Sequence, residues 1–282
     1  MKRKRIAIVG IGLIGGSLAI QLHEKKISSR LIGVDANKEH EAKALELELV
    51  DEVLSIDDAI EQSDVIILAI PVDAMAVLLP QILDKVHNQI VIDLGSTKSQ
   101  IIEAVRQHPK RGRFVATHPM WGTEYNGPAA AVRGAFENKA VVFCNENESD
   151  TDAIAWAQQM YKKIGMHLLS MEAKAHDMHA AYVSHISHIT SFALANTVLE
   201  KGKEEQAIFE MASGGFESTV RLAKSNPNMW APIFLQNKEQ VLDVLTEHIE
   251  QLKKFKESIE QNDAKKLRKL MEHANEIKRI LK

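Results

Sequence analysis

Residues 5–16 read RIAIVGIGLIGG, a β-branched apolar run that empties into a G-x-G-x-x-G pattern at positions 10–15. The reading of this stretch decides the fold. Directly after a strand and opening a helix, the three glycines have separate duties. Gly10 permits the tight turn, Gly12 lets the backbone approach a pyrophosphate, and Gly15 lets helix and strand pack closely. Leu13 and Ile14 fill the loop between the second and third glycines, where helix N–H groups face the anion. A second apolar run, LIGVDA (31–36), brings Asp35 to its end, twenty residues past Gly15. A carboxylate there accepts hydrogen bonds from ribose hydroxyls and repels a 2′-phosphate, which favours NAD over NADP. The alternatives are a glycine turn with no ligand and an Asp35 that merely faces solvent.

Working outward, further short apolar runs follow at 64–70, 89–95, 113–118 and 139–145. Helix-period segments such as EHEAKALELE separate several of them. Near-continuous apolar strands alternating with helices predict an α/β domain, a Rossmann-type, doubly wound, mainly parallel sheet covered on both faces. Ala69, Ile70 and Pro71 stand at the end of the third run and so border the cofactor, with Pro71 alternatively a plain strand terminator. From about Ala173 the pattern turns helical. Apolar or partly apolar positions at 241, 245, 248, 252, 255 and 259 form one stripe. A second runs through Leu267, Leu270, Met271, Ala274, Ile277 and Leu281 after a cap at Asn262 or Asp263. The expected division is a dinucleotide-binding domain over 1–170 and an all-α domain over 171–282. Stripes of this length suit burial against a second subunit.

The later strands carry polar residues to their carboxyl ends. QIVIDLG empties into Ser96, Thr97 and Lys98, and RFVATH delivers His118. An imidazole there, with an ordinary pKa near 6.5 (about neutrality), suits general acid–base work; the alternative is a structural cap of the loop. Thr97 and Lys98 read as helix-start residues. In the helical half, His185 and His188 sit three apart, close enough to share a helix face, but no H-E-x-x-H accompanies them, and no metal is expected. Arg221 follows a Gly-Gly pair, and its guanidinium suits a substrate carboxylate as well as it suits an open surface.

The formal net charge of −3 gives no reason to expect nucleic acid or an anionic membrane as partner. No apolar stretch reaches the ~18–20 residues of a membrane span. The basic, apolar start is punctuated by glycine and runs into the motif, so it does not read as a signal peptide. Cys144 is the only cysteine and cannot close an internal disulfide, which suits a reducing cytoplasm.

Taken in order, VGIGLIGGSLA, GVDAN, DLGSTK, THPMWGTEYNGP, HDMHAAYVSHISH and GGFESTVRLAKSNPNMW resemble the prephenate dehydrogenase family of tyrosine biosynthesis, with its arogenate-using relatives. The resemblance spans essentially the whole chain. It implies a Rossmann domain joined to an all-helical domain, and dimerisation mainly through the helical part. It also implies NAD-dependent oxidative decarboxylation of prephenate to 4-hydroxyphenylpyruvate. His118 matches the catalytic histidine that takes the ring 4-hydroxyl proton. Ser96 matches the serine that orients that histidine and the hydroxyl, Arg221 the arginine on a substrate carboxylate, and His188 a substrate-positioning histidine. Glu124 matches an acidic residue of a gating ion-pair network at the pocket entrance.

Three positions depart from the family pattern: Trp121 where a small residue is usual, Ser187 where proline is common, and Ser218 where an acid is frequent. At 282 residues, neither a fused chorismate mutase nor a separate regulatory domain is expected. Arogenate dehydrogenase is the nearest rival. A β-hydroxyacid dehydrogenase or imine reductase places its catalytic lysine or acid differently, and a non-catalytic NAD sensor leaves the coincidence of Ser96, His118, His188 and Arg221 without purpose.

Overall fold

The computed structural model describes residues 2–280. The chain divides into two compact units, Met1–Asn237 and Lys238–Lys282. The first carries β1 (Lys4–Val9), β2 (Ser28–Val34), β3 (Glu52–Val53), β4 (Val65–Leu68), β5 (Ile90–Asp93), β6 (Phe114–Pro119), β7 (Ala140–Cys144) and β8 (His167–Met171). Between them run α1 (Leu13–Glu24), α2 (Lys38–Glu46), α3 (Ile56–Gln62), α4 (Val72–Lys85), α5 (Ser99–Ala104) and α6 (Thr151–Ile164). After β8 come α7 (Ala173–Ala180), a π-helical turn at Ala181–His185, α8 (Ile186–Gly202), α9 (Ala207–Glu210), α10 (Gly214–Val220) and α11 (Pro227–Gln236).

The eight strands form one sheet in the order β3-β2-β1-β4-β5-β6-β7-β8. The order turns about β1 and β4, the switch point of a doubly wound sheet, where such folds open a crevice at the strand carboxyl ends. All neighbours run parallel except β6 and β7. Both faces are covered: Ile6, Ile8 and Ile67 enter one apolar cluster with Phe136, Trp156 and Tyr161, while Ile66, Leu68 and Val91 enter another with Met75, Leu79 and Trp230. Each of these fully buried aliphatic side chains stabilises the fold by about 1.5–3 kcal/mol.

Two strands are absent from the sequence reading. β3 is two residues long, and β8 is an edge strand whose side chains are mostly outside the core, so neither leaves an apolar run to read. β6 also extends further than its partner β5. The β5 pairing stops at Asp93↔Ala116, and antiparallel β7 carries β6 onward through His118↔Val142 and Pro119↔Val141. His118 therefore stands on ordered strand beyond the rim of the parallel sheet.

The second unit consists of α12 (Lys238–Glu260) and α13 (Ala264–Ala274), followed by a short turn of helix. Asp263 caps α13, its side chain accepting from the Lys266 N–H at 2.9 Å, and Asn262 takes the left-handed conformation at φ +53°. Leu252, Ile259, Met271 and Ile277 are exposed apolar side chains. Leu281, the last residue of the expected stripe, lies outside the described residues. Among the described residues no helix is long and apolar enough to cross a membrane.

Candidate active site

The glycine loop is built as its sequence predicts. Gly10 has φ +93°, and a Cβ there meets the Ala69 carbonyl oxygen at 2.6 Å; a Cβ on Gly15 meets the Gly10 oxygen at 2.0 Å. At Gly12 nothing lies within 4 Å of that position. The loop thus touches protein at its first and third glycines and opens outward at the second. No side chain caps α1 and no acid sits in its first turn, so its N–H groups stay available to an anion. Asp35 is half-buried and accepts from Ile11 N–H at 2.8 Å and Asn37 N–H at 2.9 Å, and His40 Nδ1 lies 3.5 Å away. Its carboxylate therefore braces the loop that it faces. Leu13 is buried and Ile14 half-buried in the first turn of α1. Ile70 is half-buried against Gly10, and Pro71 is exposed as the N-cap of α4.

At the far rim, Lys98 is wholly buried, which its reading as a helix-start residue does not anticipate. Its ammonium pairs with Asp93 and donates to the Thr117 carbonyl at 2.7 Å. Asp93 also accepts the Thr117 N–H at 3.0 Å and the Gly95 N–H at 2.9 Å. Tyr161 closes the cluster with a 2.8 Å hydrogen bond to Thr117 Oγ1. The residue before His118 is thus tied at N–H, side chain and carbonyl, and a well-determined backbone presents the imidazole.

His118 Nδ1 lies 2.8 Å from His176 Nε2, and His176 Nδ1 lies 2.9 Å from Asp177 Oδ1. Burial of the His118 ring, then the neighbouring His176, Lys98 and His185, hold its pKa well below the ordinary value. His118 is therefore neutral near neutrality, the state a base requires. Burial alone pushes the Asp177 carboxyl up, but hydrogen bonds from His176 and Ser99 outweigh it and leave the pKa lowered. Ser96 is half-buried in the loop that follows β5, and among the described residues no hydrogen bond joins it to His118. The partner that the structure gives the histidine is His176.

In the helical part, His188 stacks on Trp230 with ring centroids 3.4 Å apart, and its Nδ1 meets the Ser184 carbonyl at 3.1 Å. Burial lowers its pKa, and Arg221 adds to this while the Ser184 carbonyl opposes it. His185 packs edge-on against Trp230 and Phe234 and receives the Asn237 amide at 3.2 Å; burial pushes its pKa down to about 4. The two histidines share Trp230 but have different hydrogen-bond partners, Ser184 for His188 and Asn237 for His185. Arg221, half-exposed, donates from Nη1 to Glu124 Oε2 at 2.7 Å. Glu124 is held low by its own backbone N–H and by Arg221, with desolvation opposing.

Of the three departures from the family pattern, Trp121 packs edge-on against Phe136 at 5.4 Å and lies on the core cluster of the sheet. Ser218 turns back to the Gly215 carbonyl at 2.9 Å, and Ser187 is exposed. Sequence reasoning assigned no role to His176, Asp177, Asp93 or Trp230. HDMH was a visible signal, but a histidine beside an aspartate on a helix has no direction until the helix is docked.

Two family models match: "Prephenate dehydrogenase, nucleotide-binding domain" over residues 18–170, and "Prephenate dehydrogenase, dimerization domain" over residues 172–273. The chain is 31% identical to the prephenate dehydrogenase of Bacillus subtilis across 93% of its own length and 72% of that protein. Its fold matches a prephenate dehydrogenase from Aquifex aeolicus, solved with hydroxyphenyl propionate and NAD+, at a TM-score of 0.90 and 29% identity, covering 99% of this chain and 98% of that one. An arogenate dehydrogenase from Synechocystis matches at a TM-score of 0.76 and 26% identity, covering 97% and 98%.

Proposed function

The chain belongs to the prephenate dehydrogenase family, and from that premise we propose that this oxidoreductase carries out the NAD-dependent oxidative decarboxylation of prephenate to 4-hydroxyphenylpyruvate, in tyrosine biosynthesis. The observation that carries the reading is His118: a neutral imidazole, held at one nitrogen, projecting beyond the carboxyl rim of a dinucleotide-binding sheet.

The loop residues fit the dinucleotide. Open space at Gly12 admits a pyrophosphate, Gly10, Leu13, Ile14 and Gly15 shape the turn, and Asp35 receives the ribose; Ile70 and Pro71 border the crevice. NAD, when bound, supplies the acceptor for the hydride leaving ring C4. His118 takes the 4-hydroxyl proton, which raises electron density at C4. The bond from ring carbon to carboxylate then breaks, its electron pair aromatises the ring as CO₂ leaves, and the oxygen regains a proton from His118. The gain in aromaticity makes the step effectively irreversible. Ser96 orients the hydroxyl, Arg221 holds a substrate carboxylate, His188 on its Trp230 shelf positions the ring, and Glu124 gates Arg221.

The likeness to the Synechocystis enzyme favours one second reading, arogenate as substrate with tyrosine as direct product. NADH absorbance followed with prephenate and then arogenate, each with NAD and NADP, decides between them. We expect prephenate with NAD to be preferred by more than about tenfold. No NADH from either substrate sinks the proposal.

We further propose residues 1–170 as the cofactor half and 171–282 as the substrate and dimerisation half of a cytoplasmic homodimer. The dimerization-domain match and the exposed Leu252, Ile259, Met271 and Ile277 support that arrangement.

A further inference from the structure

His118, His176 and Asp177 form a file of three groups. His176 and Asp177 are 2% and 4% exposed. Asp177 is anchored independently of the histidines: Oδ1 accepts the Lys98 N–H and Oδ2 the Ser99 N–H, both at 2.8 Å, at the start of α5. Its carbonyl accepts the Asn237 amide at 2.7 Å. The carboxylate is therefore fixed before either ring is considered.

A neutral imidazole carries one N–H, and an ionised carboxylate only accepts. Asp177 thus draws the single proton of His176 to Nδ1, at 2.9 Å. His176 Nε2 is then an acceptor, and the 2.8 Å contact with His118 needs a proton on His118 Nδ1. What remains on His118 is an unprotonated Nε2. The opposite arrangement sets the Nδ1 lone pair of His176 against a buried carboxylate oxygen, which is costly away from water.

We infer that His176 and Asp177 are positioning residues that hold His118 in its Nδ1–H tautomer, so that Nε2 is always the basic nitrogen. When Nε2 takes a proton, the imidazolium stays hydrogen-bonded to His176, whose other nitrogen donates to an anion. The groups facing His118 are His176, Lys98 and His185, and each disfavours a second proton there. The base role of His118 rests on the dehydrogenase reading; its tautomer does not.

The test is nitrogen-15 spectroscopy of histidine-labelled protein without substrate, near pH 7.5. The expected spectrum has His118 protonated at Nδ1 and bare at Nε2. A wild-type His118 protonated at Nε2 overturns the inference whether or not the protein turns over prephenate. In Asp177→Asn either orientation of the amide sets its NH2 against a backbone N–H, of Lys98 or of Ser99, so the fixed acceptor for His176 Nδ1–H is lost and His118 is no longer held as the Nδ1–H tautomer. We expect kcat to fall about 10²- to 10⁴-fold with KM changed less than about threefold. Nδ1–H retained with wild-type kcat in Asp177→Asn overturns the inference. If that variant fails to fold, the wild-type spectrum alone decides.

Discussion

Arg221 and Glu124 are joined across 97 residues of sequence by a 2.7 Å hydrogen bond, so the cation proposed to meet the substrate is already paired. An exposed pair of this kind stabilises by no more than about 1 kcal/mol, and a substrate carboxylate displaces Glu124 at little cost. Glu124→Gln is expected to change KM less than about fivefold. Arg221→Ala removes a charge-assisted contact and raises KM about 10- to 100-fold with kcat nearly unchanged. Steady-state kinetics on both variants check this, and a kcat collapse in Arg221→Ala is the contrary result.

The loop glycines separate folding from binding. Gly15→Ala drives a methyl to 2.0 Å from the Gly10 oxygen and should lower stability markedly, by about 2 kcal/mol or more. Gly12→Ala meets nothing within 4 Å, so stability should change by less than about 1 kcal/mol while NAD affinity drops at least about tenfold. Thermal melts and NAD titration of the pair measure the two effects apart.

For pH, the sign follows from neutral buried rings. His118 must be unprotonated to act, and its lowered pKa keeps activity level well below pH 6.5, with loss only as pH falls through that depressed value. His118→Ala should lose kcat by orders of magnitude, about 10³-fold, while still binding NAD. His185 contributes to stability in the same direction. Its folded pKa of about 4 lies below the unfolded value, so the unfolded chain binds the proton first and stability is lost as pH drops from 6.5 towards 4. The loss is ~3 kcal/mol, visible as a falling urea midpoint that His185→Gln flattens.

Lys98→Met leaves the Asp93 carboxylate buried without its cation. The expected destabilisation is about 3–5 kcal/mol, read by denaturant titration. A change under about 1 kcal/mol contradicts the role assigned to the pair.

The sheet was legible because its strands are buried on both sides, which leaves continuous runs such as VIIL and IVID that no amphipathic element imitates. The glycine loop was legible because Gly10 and Gly15 have steric reasons at fixed spacing. His118, Ser96, Arg221, His188 and Glu124 could be singled out as candidates from motif order, yet the partners His176 of His118 and Trp230 of His188 could not. His176 reaches His118 across 58 residues only because α7 packs against the end of β7 and the start of α5. Lys98 looked like any polar residue at a helix start; burial is a property of what covers it, here Asp93, Thr117 and the segment around Asp177.

The π-turn at Ala181–His185 has a meaning in terms of descent. α7, the turn and α8 make one continuous helix, with His176 meeting His118 before the turn and His188 lying on Trp230 after it. A π-turn is one extra residue in an otherwise regular helix, and each residue carries about 100° of rotation. A single inserted codon therefore suffices to re-aim the whole downstream half without altering a side chain. By the same count, deleting one residue between 181 and 185 should leave a sound helix in which His188 no longer faces Trp230.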